Sequence, residues 1–307
     1  MQQEEKHPAF GAINVPLAIF WSEPQKEEYE DISRRAASHP AQWAESLDTE
    51  QRLWLVGKVN TMAVFGERVA ILGQQGAWLN VAAAAQRTRA NAWGQAGWVP
   101  AYQISQNCLY LAAQLARPEA AIAVPRAMLF GDACLTRPFR WLSYQVRLPI
   151  LAQEEGFVEV ALPGGGKGYL SPGDMERAAD LSFSREGIVA QARQFIGLWY
   201  LWGGTSSYGF DCSGFTFRLY QSQGICLPRN SVQQSQEGLA VGREDLRPGD
   251  LLFFAADQGR GRIHHVAMYV GRGFMIHAPH SRAAIMETSI DAEPYRQEYW
   301  GAKRYAC

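Results

Sequence analysis

Short apolar runs broken by glycine turns fill the N-terminal two-thirds of this chain. The runs are Ile13–Phe20, Leu53–Val59, Phe65–Leu72, Gly76–Val81 and Gly97–Pro100. Segments of this kind at a spacing of about ten residues predict the strands of a small β-barrel. Pro16 inside the first run suits an edge position. Between Pro24 and Thr49 the pattern changes to charged and Ala-rich, from Lys26-Glu27-Glu28 to Trp43-Ala44-Glu45. That predicts one or two surface helices inserted at about residues 25–48. A weaker copy of the barrel pattern follows in Ala127–Phe130, Val146–Ile150 and Phe157–Val160. It closes on Gly168-Tyr169-Leu170-Ser171-Pro172, an echo of Gly97-Trp98-Val99-Pro100.

The last third is patterned differently. Asp180–Ser184 predicts a linker and Arg185–Phe195 a first helix. Phe215 and Leu219 then stand at helical spacing, with Asp211 as N-cap and Gly224 as the stop. Cys212 therefore falls in the first turn, where the helix dipole and unpaired N–H groups favour thiolate over thiol. Two β-branched runs, His264–Gly271 and Phe274–Pro279, flank the turn Gly271-Arg272-Gly273 and predict an antiparallel hairpin. Its register sets His265 opposite or nearly opposite His277, within contact distance on one face. Alternation turns His264 to the other face.

A cysteine at a helix start is most often a small buried residue, and a strand histidine most often a satisfied core residue. Together they fit nucleophilic catalysis. Cys212 attacks a carbonyl, His265 takes and returns the proton, and His277 orients the imidazole. The N–H of Cys212 is a candidate oxyanion donor. Two other patterns mislead. Gly164-Gly165-Gly166-Lys167-Gly168 lacks both the earlier glycine and the following Ser/Thr of a phosphate loop, so it reads as a hairpin turn. The spacing of His264, His265, His277, His280 and Cys212 fits no common structural zinc pattern, so no metal is expected.

Asp211-Cys212-Ser213-Gly214-Phe215, His265-Val266-Ala267-Met268-Tyr269-Val270-Gly271, Ile276-His277-Ala278-Pro279 and the strand signal Arg247–Phe254 occur in this order. Residues 185–307 thereby resemble the NlpC family of cell-wall endopeptidases, and among these the γ-D-glutamyl-L-diamino acid endopeptidases of murein peptides. The resemblance implies an α+β fold in which a papain-like cysteine peptidase domain follows two SH3-like β-barrels. The expected divisions are residues 1–105, 106–178 and 183–307. It implies Cys212, His265 and His277 as catalytic residues. It also implies cleavage of the γ-D-Glu–diamino acid bond in murein-derived peptides (L-Ala-γ-D-Glu-diamino acid) with a free N-terminal L-Ala, during murein peptide recycling. In that family the first barrel closes the groove and a Glu of its Tyr-Gly-Glu strand binds the amine. By resemblance these roles fall to Glu67 and Tyr102, with Asp211 as a second carboxylate. Trp202, Ser213 and Arg229 are further groove candidates, Trp202 being equally suited to the core. The family usually has Arg-Asp-Ser where this chain has Arg229-Asn230-Ser231, so Asn230 keeps the shape and loses the charge.

The 307 residues exceed one typical domain. Hydrophobic residues at 47% and charged residues at 19% describe an ordinary globular chain. A net charge of −1 gives no electrostatic case for nucleic acid or an anionic membrane. Five cysteines without paired spacing argue against a disulfide framework. The start Met1–Pro8 has no leader pattern, although a leader removed earlier would leave the same sequence. The expectation is a cytoplasmic monomer that needs no cofactor. Three alternatives stay open: a secreted autolysin acting on intact wall, a related Cys/His amidase or acyltransferase, and a pure binding module with a dead enzyme domain, which the occupied catalytic positions disfavour.

Overall fold

The computed structural model describes residues 7–306, so Cys307 and the segment Met1–Lys6 of the leader reading lie outside the described residues. The first unit is a seven-stranded antiparallel sheet. Its spatial order is Val59–Val64, Leu17–Trp21, Gln95–Pro100, Trp78–Ala83, Arg68–Gln75, Ala9–Ile13 and Ile104–Ser105. The run Ile13–Phe20 is thus two strands, divided around Pro16, which has no N–H to give a ladder.

Leu53–Val59 is the clearest departure from the sequence pattern. Its first half ends a helix, Thr49–Trp54, and the strand begins only at Val59. The cause is a capping box: Asp48 Oδ1 accepts from the Gln51 N–H at 2.8 Å, and Gln51 Oε1 accepts from the Asp48 N–H at 2.9 Å. Two orphan donors are satisfied at once, which outweighs the β-branched character of the run. The helical insertion accordingly holds three helices, Glu27–Ser38, Pro40–Ser46 and Thr49–Trp54.

A second seven-stranded antiparallel sheet follows. Its order is Pro138–Ser143, Arg126–Phe130, Lys167–Leu170, Val158–Ala161, Arg147–Gln153, Glu119–Ile122 and Met175–Arg177. Gly164–Gly166 sit in the turn of the hairpin that pairs Val158–Ala161 with Lys167–Leu170. Three strands, Glu119–Ile122, Pro138–Ser143 and Met175–Arg177, and the helix Cys108–Ala116 have no counterpart in the sequence reading. Phe139 and Trp141 are more than half exposed, so Pro138–Ser143 lacks the apolar-in alternation that would reveal it. The two sheets share one core, in which Trp21, Val59, Leu148 and Leu170 pack with Leu201 and Tyr208 from the C-terminal third.

The C-terminal unit packs the helices Arg185–Arg193 and Cys212–Gln221 against a six-stranded antiparallel sheet. That sheet runs Leu239–Val241, Tyr299–Arg304, Leu251–Ala255, Ile263–Gly271, Phe274–His277 and Met286–Ser289. Phe215, Leu219 and Tyr220 bury against Val266, Met268 and Ile276. From Ser213 on the helix is buried, because away from the six-stranded sheet it packs on the short hairpin Thr205–Phe210, which in turn meets the strand Val59–Val64 of the first sheet.

Two glycines allow the turn before the nucleophile to touch the helix. A Cβ on Gly214 would stand 2.0 Å from the Gly204 carbonyl oxygen, and one on Gly204 would stand 2.4 Å from the Gly209 carbonyl oxygen. Backbone atoms cannot swing aside as a side chain can. Gly214→Ala is therefore expected to lower the unfolding free energy by roughly 1–3 kcal/mol in a denaturant titration. An unchanged midpoint would contradict this close approach.

Candidate active site

Asp211 is extended (φ −88°, ψ 176°) and caps the helix, its Oδ1 accepting the Gly214 N–H at 2.6 Å. The same carboxylate takes both terminal nitrogens of Arg229, Nη1 to Oδ1 at 3.0 Å and Nη2 to Oδ2 at 2.6 Å. Ser213 Oγ donates to Asp211 Oδ1 at 3.2 Å and accepts from Arg229 Nη1 at 3.0 Å. The third guanidinium nitrogen, Nε, donates to Thr61 Oγ1 of the first sheet at 2.9 Å. Cys212 is half-buried at the head of this network, and the N–H groups of Ser213 and Val266 lie against its sulfur.

Val266 follows His265 on the facing strand. His265 Nε2 is 2.8 Å from His277 Nδ1, and His277 Nε2 is 3.1 Å from Thr288 Oγ1. The contact is diagonal rather than directly opposite. Met268 pairs with Ile276, so the register, extended one step, places Ala267 beside His277 and His265 two residues further along. Diagonal neighbours on one face remain within reach of long side chains. Phe254 and Tyr295 enclose the pair, Tyr295 standing edge-on to His277 at 5.0 Å and Phe254 tilted against His265 at 5.7 Å. One tautomer set satisfies the chain. His265 Nε2–H donates to His277 Nδ1, and His277 Nε2–H donates to Thr288 Oγ1. His265 Nδ1 is then left with its lone pair free.

Protonation is set by burial. The Cys212 thiol is pushed up to about 12, first by burial and then by the adjacent Asp211 carboxylate. The Val266 N–H, Arg229 and the Ser213 N–H oppose this only in part. His265 is held well below its ordinary value by burial and then by the neighbouring histidines 277, 264 and 280. His277 falls to about 4, through burial and then His280. The resting site is thus a neutral thiol beside two neutral imidazoles. This corrects the expectation of a preformed thiolate: the helix dipole is outweighed by desolvation and by the cap's own charge.

Trp202, Asp211, Ser213 and Asn230 line a groove of about 930 Å³ together with Cys212. Trp202 serves both the groove and the core, and its Nε1–H donates to the Val59 carbonyl at 2.9 Å. Arg229, only 1% exposed, lies beneath the wall and supports Asp211. Two of the expected residues lie elsewhere. The Glu67 carboxylate is turned inward, where Oε1 meets Arg218 and Oε2 accepts the Val64 N–H at 3.1 Å. Arg218 leaves the buried helix on the side of the first sheet, and Glu67 is the charge that answers it. Tyr102 is 52% exposed and off the groove, its hydroxyl accepting from Gln103 Nε2 at 3.4 Å. Neither lines the groove that holds Cys212. His264 stands on the other face and pairs with Glu298 at 3.4 Å.

Sequence reasoning missed Thr288 and Tyr295 behind the histidines, and Tyr200, Asn60, Thr88 and Gln95 in the groove wall. No local pattern marks them; they come together only through sheet register and docking of the first unit. Tyr200 is close enough for the charges of Cys212 and Asp211 to act on it, and burial keeps its phenol protonated. A larger cavity of about 1240 Å³ lies elsewhere and contains none of these side chains. Among the described residues, no three His, Cys, Asp or Glu side chains converge as metal ligands.

A cysteine heading a buried helix, facing a histidine pair on an antiparallel sheet, defines a papain-like thiol hydrolase. Residues 197–304 match the NlpC/P60 family, and residues 122–176 match the YKFC SH3b2 domain. A γ-D-glutamyl-L-lysine dipeptidyl-peptidase of Bacillus cereus is 36% identical over 98% of this chain and 92% of its own length. One from Bacillus subtilis is 32% identical over 85% of this chain and 87% of its own. The crystal structure of an NlpC/P60 family protein from Bacillus cereus superposes with a TM-score of 0.89 at 35% identity, covering 96% of this chain and 99% of that one. The chain belongs to the NlpC/P60 family of cysteine peptidases.

The buried imidazoles make stability depend on pH. The folded protein binds a proton at His277 more weakly than the unfolded chain, with about 4 against 6.5, so protonation favours unfolding. This contribution is complete above pH 6.5 and is lost as the pH falls towards 4. The loss is expected to be on the order of 3 kcal/mol. Denaturant titrations across that window should show the slope, and His277→Gln should reduce it to the part that His265 contributes; equal slopes would contradict the neutral pair.

Proposed function

We propose that this protein is a cysteine endopeptidase that hydrolyses the bond between γ-D-Glu and a diamino acid in peptidoglycan peptides. The observation that carries the reading is Cys212 at the wall of a groove, its sulfur against the N–H of Val266, which follows His265 of the hydrogen-bonded chain His265, His277, Thr288. The names of the two Bacillus relatives support γ-D-glutamyl-L-lysine as the bond type. We assign Cys212, His265 and His277 the catalytic roles. The two N-terminal sheets are taken as SH3-like units of about residues 1–105 and 106–178, ahead of a catalytic domain at 183–307. A recycling role presupposes a substrate with a free amino terminus, and so depends on the far end of the groove.

Since thiol and imidazole are both neutral at rest, charge separates only as the reaction proceeds. The sulfur attacks the γ-carbonyl carbon while His265 Nδ1 takes the thiol proton. His277 Nδ1 accepts from the His265 Nε2–H, which holds the ring in place and stabilises the imidazolium that forms. The carbonyl electron pair moves to oxygen, facing the Cys212 N–H and the Tyr200 hydroxyl. As the C–N bond breaks, His265 returns the proton to the leaving amine and the acyl group remains as a thioester. Water deprotonated by His265 then adds to the thioester, and the thiolate leaves and is reprotonated.

Cys212→Ala should abolish release of L-Ala-γ-D-Glu from L-Ala-γ-D-Glu-L-Lys, followed by mass spectrometry, while the circular dichroism spectrum is retained. Persistent turnover would sink the assignment. Removing the proposed phenolic donor by Tyr200→Phe should lower kcat about 10²–10³-fold with a much smaller change in KM. A KM effect alone would make Tyr200 a groove wall and not an oxyanion donor.

A further inference from the structure

The carbonyl of Tyr200 is held from outside the catalytic unit. Tyr200 precedes the short hairpin Thr205–Phe210. Its N–H donates to the Ala283 carbonyl at 3.1 Å, and the Leu201 N–H donates to the Phe210 carbonyl at 3.0 Å. Both of those partners belong to the catalytic unit. The Tyr200 carbonyl instead accepts from Arg52 Nη1 at 3.2 Å, across 148 positions of sequence. Arg52 lies on Thr49–Trp54, the third helix of the insertion. Its Nη2 donates at 2.6 Å to the carbonyl of Ala44, on the second insertion helix. The guanidinium carbon stands 5.3 Å from the centre of the Trp199 ring.

A guanidinium is a costly way to join two segments. Arg52 is 3% exposed, and among the described residues no carboxylate pairs with it. A buried cation that meets only carbonyls and a ring recovers its desolvation cost in part. A neutral side chain of similar length would fill the junction without that cost. What the guanidinium adds is a rigid planar fork, with two nitrogens at a fixed separation and each aimed at a carbonyl. One prong is fixed to the insertion. The other sets the peptide that follows Tyr200, whose phenol faces the developing oxyanion. Arg52 itself does not line the groove. We propose, resting on the peptidase reading and on the Tyr200 donor assigned above, that Arg52 is a positioning residue that aligns the Tyr200 hydroxyl with the oxyanion. The helical insertion thereby takes part in catalysis through Tyr200, without touching the substrate.

The test is a double-mutant cycle in the full chain with L-Ala-γ-D-Glu-L-Lys as substrate. Arg52→Met removes the donors and keeps an unbranched side chain. It should lower kcat about tenfold and change KM less than about twofold, because a misplaced catalytic group is felt in the transition state. In the Tyr200→Phe background the same substitution should lower kcat less than about twofold, since the hydroxyl it would misplace is already gone. A purely structural tether would give equal factors in the two backgrounds. That result would overturn the proposal, as would an unchanged kcat in Arg52→Met. If Arg52→Met does not fold, Arg52→Lys replaces it in the cycle. One ammonium cannot reproduce the fork, so kcat should fall about threefold or more, and only where Tyr200 is present. Equal falls in both backgrounds, or none, would again overturn the proposal. Full kcat in Tyr200→Phe alone would remove the oxyanion donor and this inference with it, and leave Cys212, His265 and His277 in their roles. An unaltered protein that cleaves no γ-D-glutamyl peptide would refute the peptidase reading itself.

Discussion

The bidentate pair between Asp211 and Arg229 is the contact on which the rest of the site depends. One carboxylate caps the nucleophile's helix, holds Ser213 and anchors a guanidinium 1% exposed. The guanidinium continues to Thr61, so the same link ties the catalytic unit to the first sheet. Losing either partner would strand a buried charge, at a cost of roughly 3–5 kcal/mol. A second pair, Arg218 with Glu67, crosses the same boundary from the middle of the same helix. Position and orientation of Cys212 are therefore set by both units at once.

That dependence has a chemical consequence. A cap strong enough to hold Arg229 puts a negative charge beside the sulfur, and burial withdraws solvent from it. The thiol stays protonated until a substrate carbonyl arrives, and the two neutral histidines are its proton acceptor and relay. Phe254 and Tyr295 keep water from the imidazoles, while Thr288 gives His277 a partner that carries no charge. A carboxylate in that place would hold the histidines protonated. The hydroxyl leaves them neutral, as a base must be.

The groove is built from both sides of the boundary. The catalytic unit contributes Cys212, Ser213, Trp202 and Asn230, and the first sheet contributes Asn60 and Gln95. Glu67, which a resemblance nominated for substrate binding, balances Arg218, a guanidinium that the docking of the units leaves buried. The loss of charge visible at Asn230 is matched by its neighbour Gln95, to which it is hydrogen-bonded. The two amides form one neutral surface rather than an isolated exception.

The chemistry of the nucleophile was legible from local pattern. A cap, a helical period, a β-branched hairpin and alternation across it suffice to bring Cys212, His265 and His277 into one hypothesis, because each signal acts over a few residues. Much of the β-rich N-terminal sheets was legible for the same reason; the exceptions include Leu53–Trp54, where a capping box decided against the strand, Pro138–Ser143, whose aromatic residues face outward, and the short strands Glu119–Ile122 and Met175–Arg177. What the chain pattern could not contain was decided by tertiary structure. Burial made the thiol neutral, docking of the first sheet turned Glu67 inward, and sheet register brought Thr288 behind His277. Those outcomes rest on desolvation and on contacts between residues up to 168 positions apart, such as Arg229 with Thr61, and no short window of sequence carries either.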